Sequence, residues 1–142
     1  MSIEANKALV RRFVDEGLAG NPDVFDEICS PDFVNHAAPA RRQGIQGVKD
    51  VIAFSLRMQP DQRWSELHTV AEGDLVILYG VRTATWQGTE FRGIPTPQGP
   101  VSVELAHMFR ITDDLITEHW AVRDDLGMMQ QLGALPTPEP RG

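Results

Sequence analysis

What most limits the fold of this chain is a change of hydrophobic period at Arg63. Before it, apolar residues recur at helical spacing; from there to Asp124 they largely alternate. Strand side chains point to opposite faces in turn, so alternation reads as sheet with one buried face. The alternating stretch divides into RWSELHTVAE, a turn at Gly73-Asp74, LVILYGVRTATWQ, a Gly/Pro-rich connection GTEFRGIPTPQGP, and a hairpin. The hairpin runs VSVELAHMFRIT, turns at Asp113-Asp114 and returns as LITEHWAVRD. Gly80 sits inside the second strand and predicts a bulge or bend, which a curved sheet needs.

The part before Arg63 reads as helices. Ile3, Leu9, Val10, Phe13, Val14 and Leu18 share a face over residues 3–19, with Ser2 as N-cap and Gly20-Asn21-Pro22 as the break. Asp23 to Cys29 is a short second helix ended by Ser30-Pro31, and Phe33–His36 is a strand fragment before the polar loop AAPARRQG. Gly44 to Met58 is a third helix stopped by Pro60, and LGMMQQLG after the hairpin is a closing helix. Helices, then four long antiparallel strands, then a terminal helix make an α+β chain. The expected architecture is a cone-shaped barrel: a strongly curved antiparallel sheet wrapped around the N-terminal helices, with a central pocket. One domain is expected over residues 1–135. The final PTPEPRG, residues 136–142, has three prolines and no apolar cluster, which predicts a disordered tail.

Charge and cysteine usage narrow the function classes. The net charge is −7 and the 13 basic residues are scattered, so neither nucleic acid nor an anionic membrane is an expected partner. Cys29 is the only cysteine, which excludes an intramolecular disulfide and a cysteine-based zinc cage and suggests a partly buried filler. The four histidines, at 36, 68, 107 and 119, show no metal-binding spacing, so no metal is expected. No signal-peptide core or membrane-length apolar run is present, and a cytoplasmic location is the default expectation.

Parity within the hairpin selects candidate groups. Val101, Val103, Leu105, His107, Phe109 and Ile111 share one face, on which His107 is the lone polar group. In the return strand Ile116, Glu118, Trp120, Val122 and Asp124 share a face, and His119 and Arg123, of opposite parity, should face out or into a subunit interface. Ionisable groups on apolar faces are costly unless paired, hydrated or useful. The turn position pairs His107 near Trp120, with Asp124 further along, so the two could line one pocket. Each also has a plainer role: His107 as a core histidine, Asp124 as N-cap of the closing helix, a role Asp125 could fill equally well. The plainer role of Asn35 and His36 is to satisfy turn backbone groups. Trp64, Trp86, Phe91 and Trp120 are core aromatics, of which two or three could hold a flat apolar ligand.

The segment EHWAVRDDLGMMQQLGAL, Glu118 to Leu135, resembles the closing segment of the SnoaL-like polyketide cyclases. Asp32-Phe33-Val34-Asn35-His36, the GIQGVK run from Gly44 and the RRFVDE segment resemble the front of the same family, within the nuclear-transport-factor-2-like superfamily. The resemblance implies the cone, a homodimer or homotetramer through the outer sheet face, and a cofactor-free intramolecular aldol condensation on a hydrophobic, polycyclic, polyketide-type carbonyl substrate. It matches Asp124 to the general acid/base, His107 to a pocket histidine and Asn35 to a pocket-lining polar position. His36, Trp120, Trp86 and Phe91 are then expected around the substrate. Conjugated carbonyls stabilise the enolate within the substrate, so one carboxylate of raised pKa would suffice.

Two other classes fit the same pattern. One is a non-catalytic binding protein for an apolar small molecule. The other is a superfamily enzyme of different chemistry, an isomerase or an epoxide hydrolase, whose Asp-Arg-Asp set would draw on Arg82 or Arg110.

Overall fold

The computed structural model describes residues 2–139. Helix α1 spans Ile3–Arg12, capped by the Ser2 hydroxyl accepting from the Ala5 N–H, and continues as one wider, π-helical turn over Phe13–Gly17. Helix α2 is Val24–Ile28 and α3 is Gly44–Met58. The strands are β1 Cys29–Asn35, β2 Arg63–Glu72, β3 Leu75–Trp86, β4 Glu90–Phe91, β5 Ile94–Pro95, β6 Gly99–Thr112 and β7 Leu115–Arg123. Helix α4, Asp125–Gln131, follows β7 directly. Pro136–Glu139 carry no helix or strand, and Pro140–Gly142, the end of the expected tail, lie outside the described residues. No described helix is long and apolar enough to cross a membrane.

The α+β class and the curved sheet agree with the reading of the sequence, but the barrel does not close. Five strands form one sheet in the order β1-β7-β6-β3-β2, leaving β1 and β2 as separate edges. The expected strand fragment at Phe33–His36 is a full strand, β1, and it pairs parallel to β7. Helix and sheet can neighbour in that order because α2 runs straight into β1, so the chain enters the sheet before the helices are finished. The Gly/Pro-rich connection holds the small hairpin β4–β5.

Gly80 has the role its position suggested. A Cβ there would lie 2.2 Å from the Ser65 carbonyl oxygen and 2.6 Å from the Trp64 ring, and the β2–β3 register shifts between Glu66 and His68. The missing side chain lets β2 fold closely over β3.

A second register shift decides the site. At the hairpin turn Asp113 and Asp114 both have positive φ (52° and 64°), and Thr112 pairs with Leu115 and Ile111 with Ile116. Arg110 then pairs with Glu118, so Thr117 is the extra residue of a bulge, its hydroxyl donating to the Arg110 carbonyl at 3.3 Å. Side-chain parity on β7 flips at that point. Ile116 is buried as expected, but beyond the bulge His119 is buried and Val122 is 76% exposed. The expectation that Trp120, Val122 and Asp124 face inward while His119 and Arg123 face outward is therefore reversed.

The core has two parts. One joins α1, α2 and α3 to the sheet through Phe13, Phe25, Ile28, Leu78, Phe109 and Ile116. Phe13 sits edge-on to both Phe25 and Phe109, at 5.0 Å each. The other packs α4 on the far end of the sheet, where Met128 and Met129 meet Trp86, Val101 and Val103.

Candidate active site

A partly open cavity of about 530 Å³ lies between the helices and the concave face of the sheet. Phe13, Val14 and Leu18 and, from α3, Val48, Val51 and Ile52 form its apolar wall. The sheet supplies Trp64, Arg82, Leu105, His107, His119, Ala121 and Arg123, and Asn35 at the end of β1 completes that side.

Topology brings three of these into one chain of hydrogen bonds. Parallel pairing sets Asn35 beside His119, and antiparallel pairing sets His119 beside Phe109 with His107 opposite Ala121. Asn35 Oδ1 lies 2.9 Å from His119 Nδ1, and His119 Nε2 lies 2.9 Å from His107 Nδ1. Asn35 is itself held at both ends of its peptide: its N–H donates to Gln43 Oε1 (2.9 Å) and its carbonyl accepts from Gln43 Nε2 (2.8 Å).

One main-chain donor fixes the order of protons. The Ala37 N–H donates to Asn35 Oδ1 (3.0 Å), so that atom is the amide oxygen and His119 Nδ1 must donate to it. A neutral imidazole carries one N–H, so His119 Nε2 accepts and the proton between the rings belongs to His107 Nδ1. His107 Nε2 is left as a bare lone pair, buried and without a hydrogen-bond partner among the described residues. The Trp64 ring stands edge-on to this imidazole at 5.5 Å.

Both rings are neutral at pH 7. Burial pushes His107 down to about 4, and the nearby charges of Arg82 and Arg123 push the same way. Burial holds His119 well below its ordinary value, with His107 and His36 adding to the effect. Burial also lowers Arg82 to about 10, aided by Arg123 and opposed by Asp125, so Arg82 stays charged. The cavity thus offers an unprotonated nitrogen base beside fixed positive charge. No group of three His, Cys, Asp or Glu side chains able to hold a metal ion occurs among the described residues.

The family profile of the SnoaL-like polyketide cyclases matches residues 8–132. The chain belongs to that family. No curated protein sequence matches it. Among solved structures this cyclase-family chain is similar to TsrD of Streptomyces laurentii, at 27% identity and a TM-score of 0.83, covering 95% of this chain and 99% of that one. It is similar to a protein of Jannaschia sp. described as a SnoaL-like polyketide cyclase, at 27% identity and TM-score 0.81, covering 96% and 97% of the two chains. It is also similar to AclR of Streptomyces galilaeus, described as a hydroxylase, at 27% identity and TM-score 0.79, covering 97% of this chain and 87% of that one. These likenesses assign the fold to the nuclear-transport-factor-2-like cones.

The expected site residues fall in four places. His107 and Asn35 line the cavity. Asp124 does not: its Oδ1 accepts from the Gly127 N–H at 2.9 Å as the N-cap of α4. Gly127 makes room for it, since a Cβ there would meet Asp124 Oδ2 at 2.3 Å. His36 and Trp120 stack on each other outside the cavity, centroids 4.7 Å apart and rings 9° from parallel, with His36 Nε2 2.9 Å from Glu118. Trp86 and Phe91 belong to the second core cluster, where Trp86 Nε1 donates to Thr96 Oγ1 at 2.9 Å and Phe91 meets the indole edge-on at 5.7 Å. Cys29 is a buried filler whose thiol burial pushes up to about 12. Of the two arginines considered for an epoxide-hydrolase-like set, Arg110 is engaged with Asp74 and Glu118 away from the cavity, while Arg82 lines it.

His119 and Arg123 were missed because the bulge at Thr117 leaves no mark in the residue pattern. Gln43 was missed because its role is to stand in for a strand, which no local spacing signals.

Two predictions follow from these placements. Asp124→Ala should cost about 1 kcal/mol in urea unfolding through loss of the cap, whereas Asp124→Asn keeps the cap. Acid should also weaken the fold early. Each buried histidine binds a proton more readily unfolded than folded, so stability is complete above pH 6.5 and falls as pH drops toward 4. His107 alone accounts for roughly 3 kcal/mol across that window. Unfolding midpoints taken from pH 7.5 to 4.5 should fall, and less steeply in His107→Gln.

Proposed function

We propose that this protein is a cyclase-type enzyme that removes a proton from carbon next to a carbonyl of a flat, hydrophobic, polyketide-like substrate and closes a ring by intramolecular aldol condensation. The observation that carries this reading is the Asn35–His119–His107 chain, which ends in an unprotonated, partnerless nitrogen at the wall of an apolar cavity. His107 Nε2 takes the proton, in place of the Asp124 carboxylate first expected to do so. The positive ion formed is steadied by His119 Nε2, which accepts from His107 Nδ1, and the Asn35 amide oxygen holds His119 in the tautomer that can accept. The same nitrogen returns the proton to the oxygen that becomes an alkoxide. Arg82 and Arg123 supply the field that favours enolate over ketone. Conjugation in the substrate spreads the enolate charge, and this chemistry asks for no metal or cofactor. The cavity walls fold the substrate so that its two reacting carbons meet. His107 Nε2 is buried against the edge of the Trp64 indole, so proton transfer to it requires that ring to shift.

Proton removal can be tested without knowing the natural substrate. In D₂O, wild-type protein should accelerate C–H to C–D exchange beside the carbonyl of β-tetralone, followed by proton NMR. Saturable binding with no acceleration would instead mark a non-catalytic binding protein.

The outer face of the sheet, with exposed Val70 and Val122 and the Trp120–His36 stack, is the surface through which we propose that copies of this chain pair.

A further inference from the structure

The cavity is electropositive in an acidic protein. Arg63, Arg82 and Arg123 line it against one carboxylate, Asp15, although the chain carries a net charge of −7. Two of the three arginines need no explanation. Arg63 is exposed, and Arg123 reaches Asp125 at 3.4 Å. Arg82 is different. Its Nε is buried with no hydrogen-bond partner, and the acid whose field reaches it, Asp125, is already shared by Arg92 and Arg123.

A guanidinium cannot shed its charge near neutrality. Water in the cavity can serve it while the site is open. A neutral apolar ligand would expel that water and leave the charge against hydrocarbon, which is strongly unfavourable. A charge that appears only in the transition state does not remove this penalty, because the bound ground state would still leave Arg82 unpaired. The compensating charge therefore has to arrive with the ligand. A second buried donor without a partner, Trp64 Nε1, belongs to the same wall. On the same sheet wall, with its ring 5.5 Å from the Trp64 indole, His107 Nε2 is an acceptor without a partner. The polar groups of the cavity thus ask for a ligand that accepts from the arginine and indole donors and gives up a proton to a nitrogen on the same wall.

We infer that the ligand of this cavity is an acid: a flat, mostly apolar carbonyl compound bearing a free carboxylate, seated with that carboxylate on Arg82 and the Trp64 N–H. This rests on the proposed function only in taking the cavity as the substrate site. It names the substrate class more narrowly, as a carboxylic acid and not its ester.

Naphthalene carboxylate and its methyl ester make a matched pair of probes for calorimetric titration at pH 7. Wild-type protein should bind the carboxylate about ten- to a hundredfold more tightly than the ester, the usual range for a charged hydrogen-bond partner. Arg82→Met should abolish that preference, weakening the carboxylate while the ester binds at least as tightly as before because no charge is then stripped of water, and Arg82→Lys should restore part of it. Added salt should weaken the carboxylate and not the ester. Arg82→Met should not lower the unfolding temperature of the unliganded protein, since it removes a half-buried guanidinium whose Nε has no partner. Equal binding of acid and ester, saturable binding of neither, or a preference that survives Arg82→Met would overturn the inference. If acid binds through Arg82 but β-tetralone shows no exchange, the catalytic reading falls and the acid site stands. If exchange depends on His107 while acid and ester bind alike, the reverse holds.

Discussion

Replacing His107 with glutamine is expected to slow proton exchange from a carbonyl substrate by about a hundred- to ten-thousandfold, the usual share of a positioned general base. Glutamine nearly fills the imidazole volume, and its amide N–H can still donate to His119 Nε2. The fold and ligand affinity should therefore survive, and the loss should fall on kcat. No other side chain that lines the cavity offers an unprotonated nitrogen at this wall: His119 faces it with both nitrogens engaged. The wild-type pH profile gives an independent check. An ordinary histidine base would lose activity below pH 6.5, whereas kcat/KM here should hold through that point and fall toward pH 4, where His107 gains its proton. Wild-type rates in His107→Gln, or an acid limb near 6.5, would remove His107 from the chemistry.

Phe109→Ala should be the most damaging single substitution in the core, costing about 3–5 kcal/mol. Phe109 is fully buried and touches Phe13 edge-on at 5.0 Å, His119 at 5.0 Å and His107 at 6.0 Å. The void left by the ring would open against two neutral histidines, letting water reach groups that are held unprotonated by its exclusion. Urea unfolding should show the loss of stability, and the acid limb of kcat/KM in the surviving folded protein should move up toward 6.5. Phe109→Leu, which keeps most of the volume, should cost much less in both measurements.

How far the residues alone revealed these features depends on how local each cause is. Helix boundaries were legible because Ser2, Pro22, Pro31 and Pro60 act within a turn of their own positions. The inward face of β6 was legible because it is regular from Val101 to Ile111, and it delivered His107. The β7 face was read correctly as far as Ile116 and then inverted, since a single unpaired residue at Thr117 changes the partner of every position after it. That inversion made Asp124 and Trp120 look internal. The resemblance to the cyclase family identified the fold correctly and pointed to Asn35, but the structure seats Asp124 on the α4 N-terminus. The role of Gln43 depends on a contact eight residues away with no pattern of its own. Neither the arginine deficit of anions nor the proton order can be written in spacing, because both are sums over groups from different strands.

The bulge also has a consequence for how such a site can change over time. Point substitutions alter the β7 wall one side chain at a time. Losing one residue near Thr117 would exchange the whole wall at once, turning Glu118, Trp120 and Val122 toward the ligand and sending His119 and Arg123 to the surface. Strand β7 therefore carries two complete sets of wall residues in one sequence, with a single length change selecting between them. A scaffold with such a frame-shifting point can move to a new ligand chemistry without first dismantling its core, because Phe109, Ile111 and Ile116 keep their places in either frame.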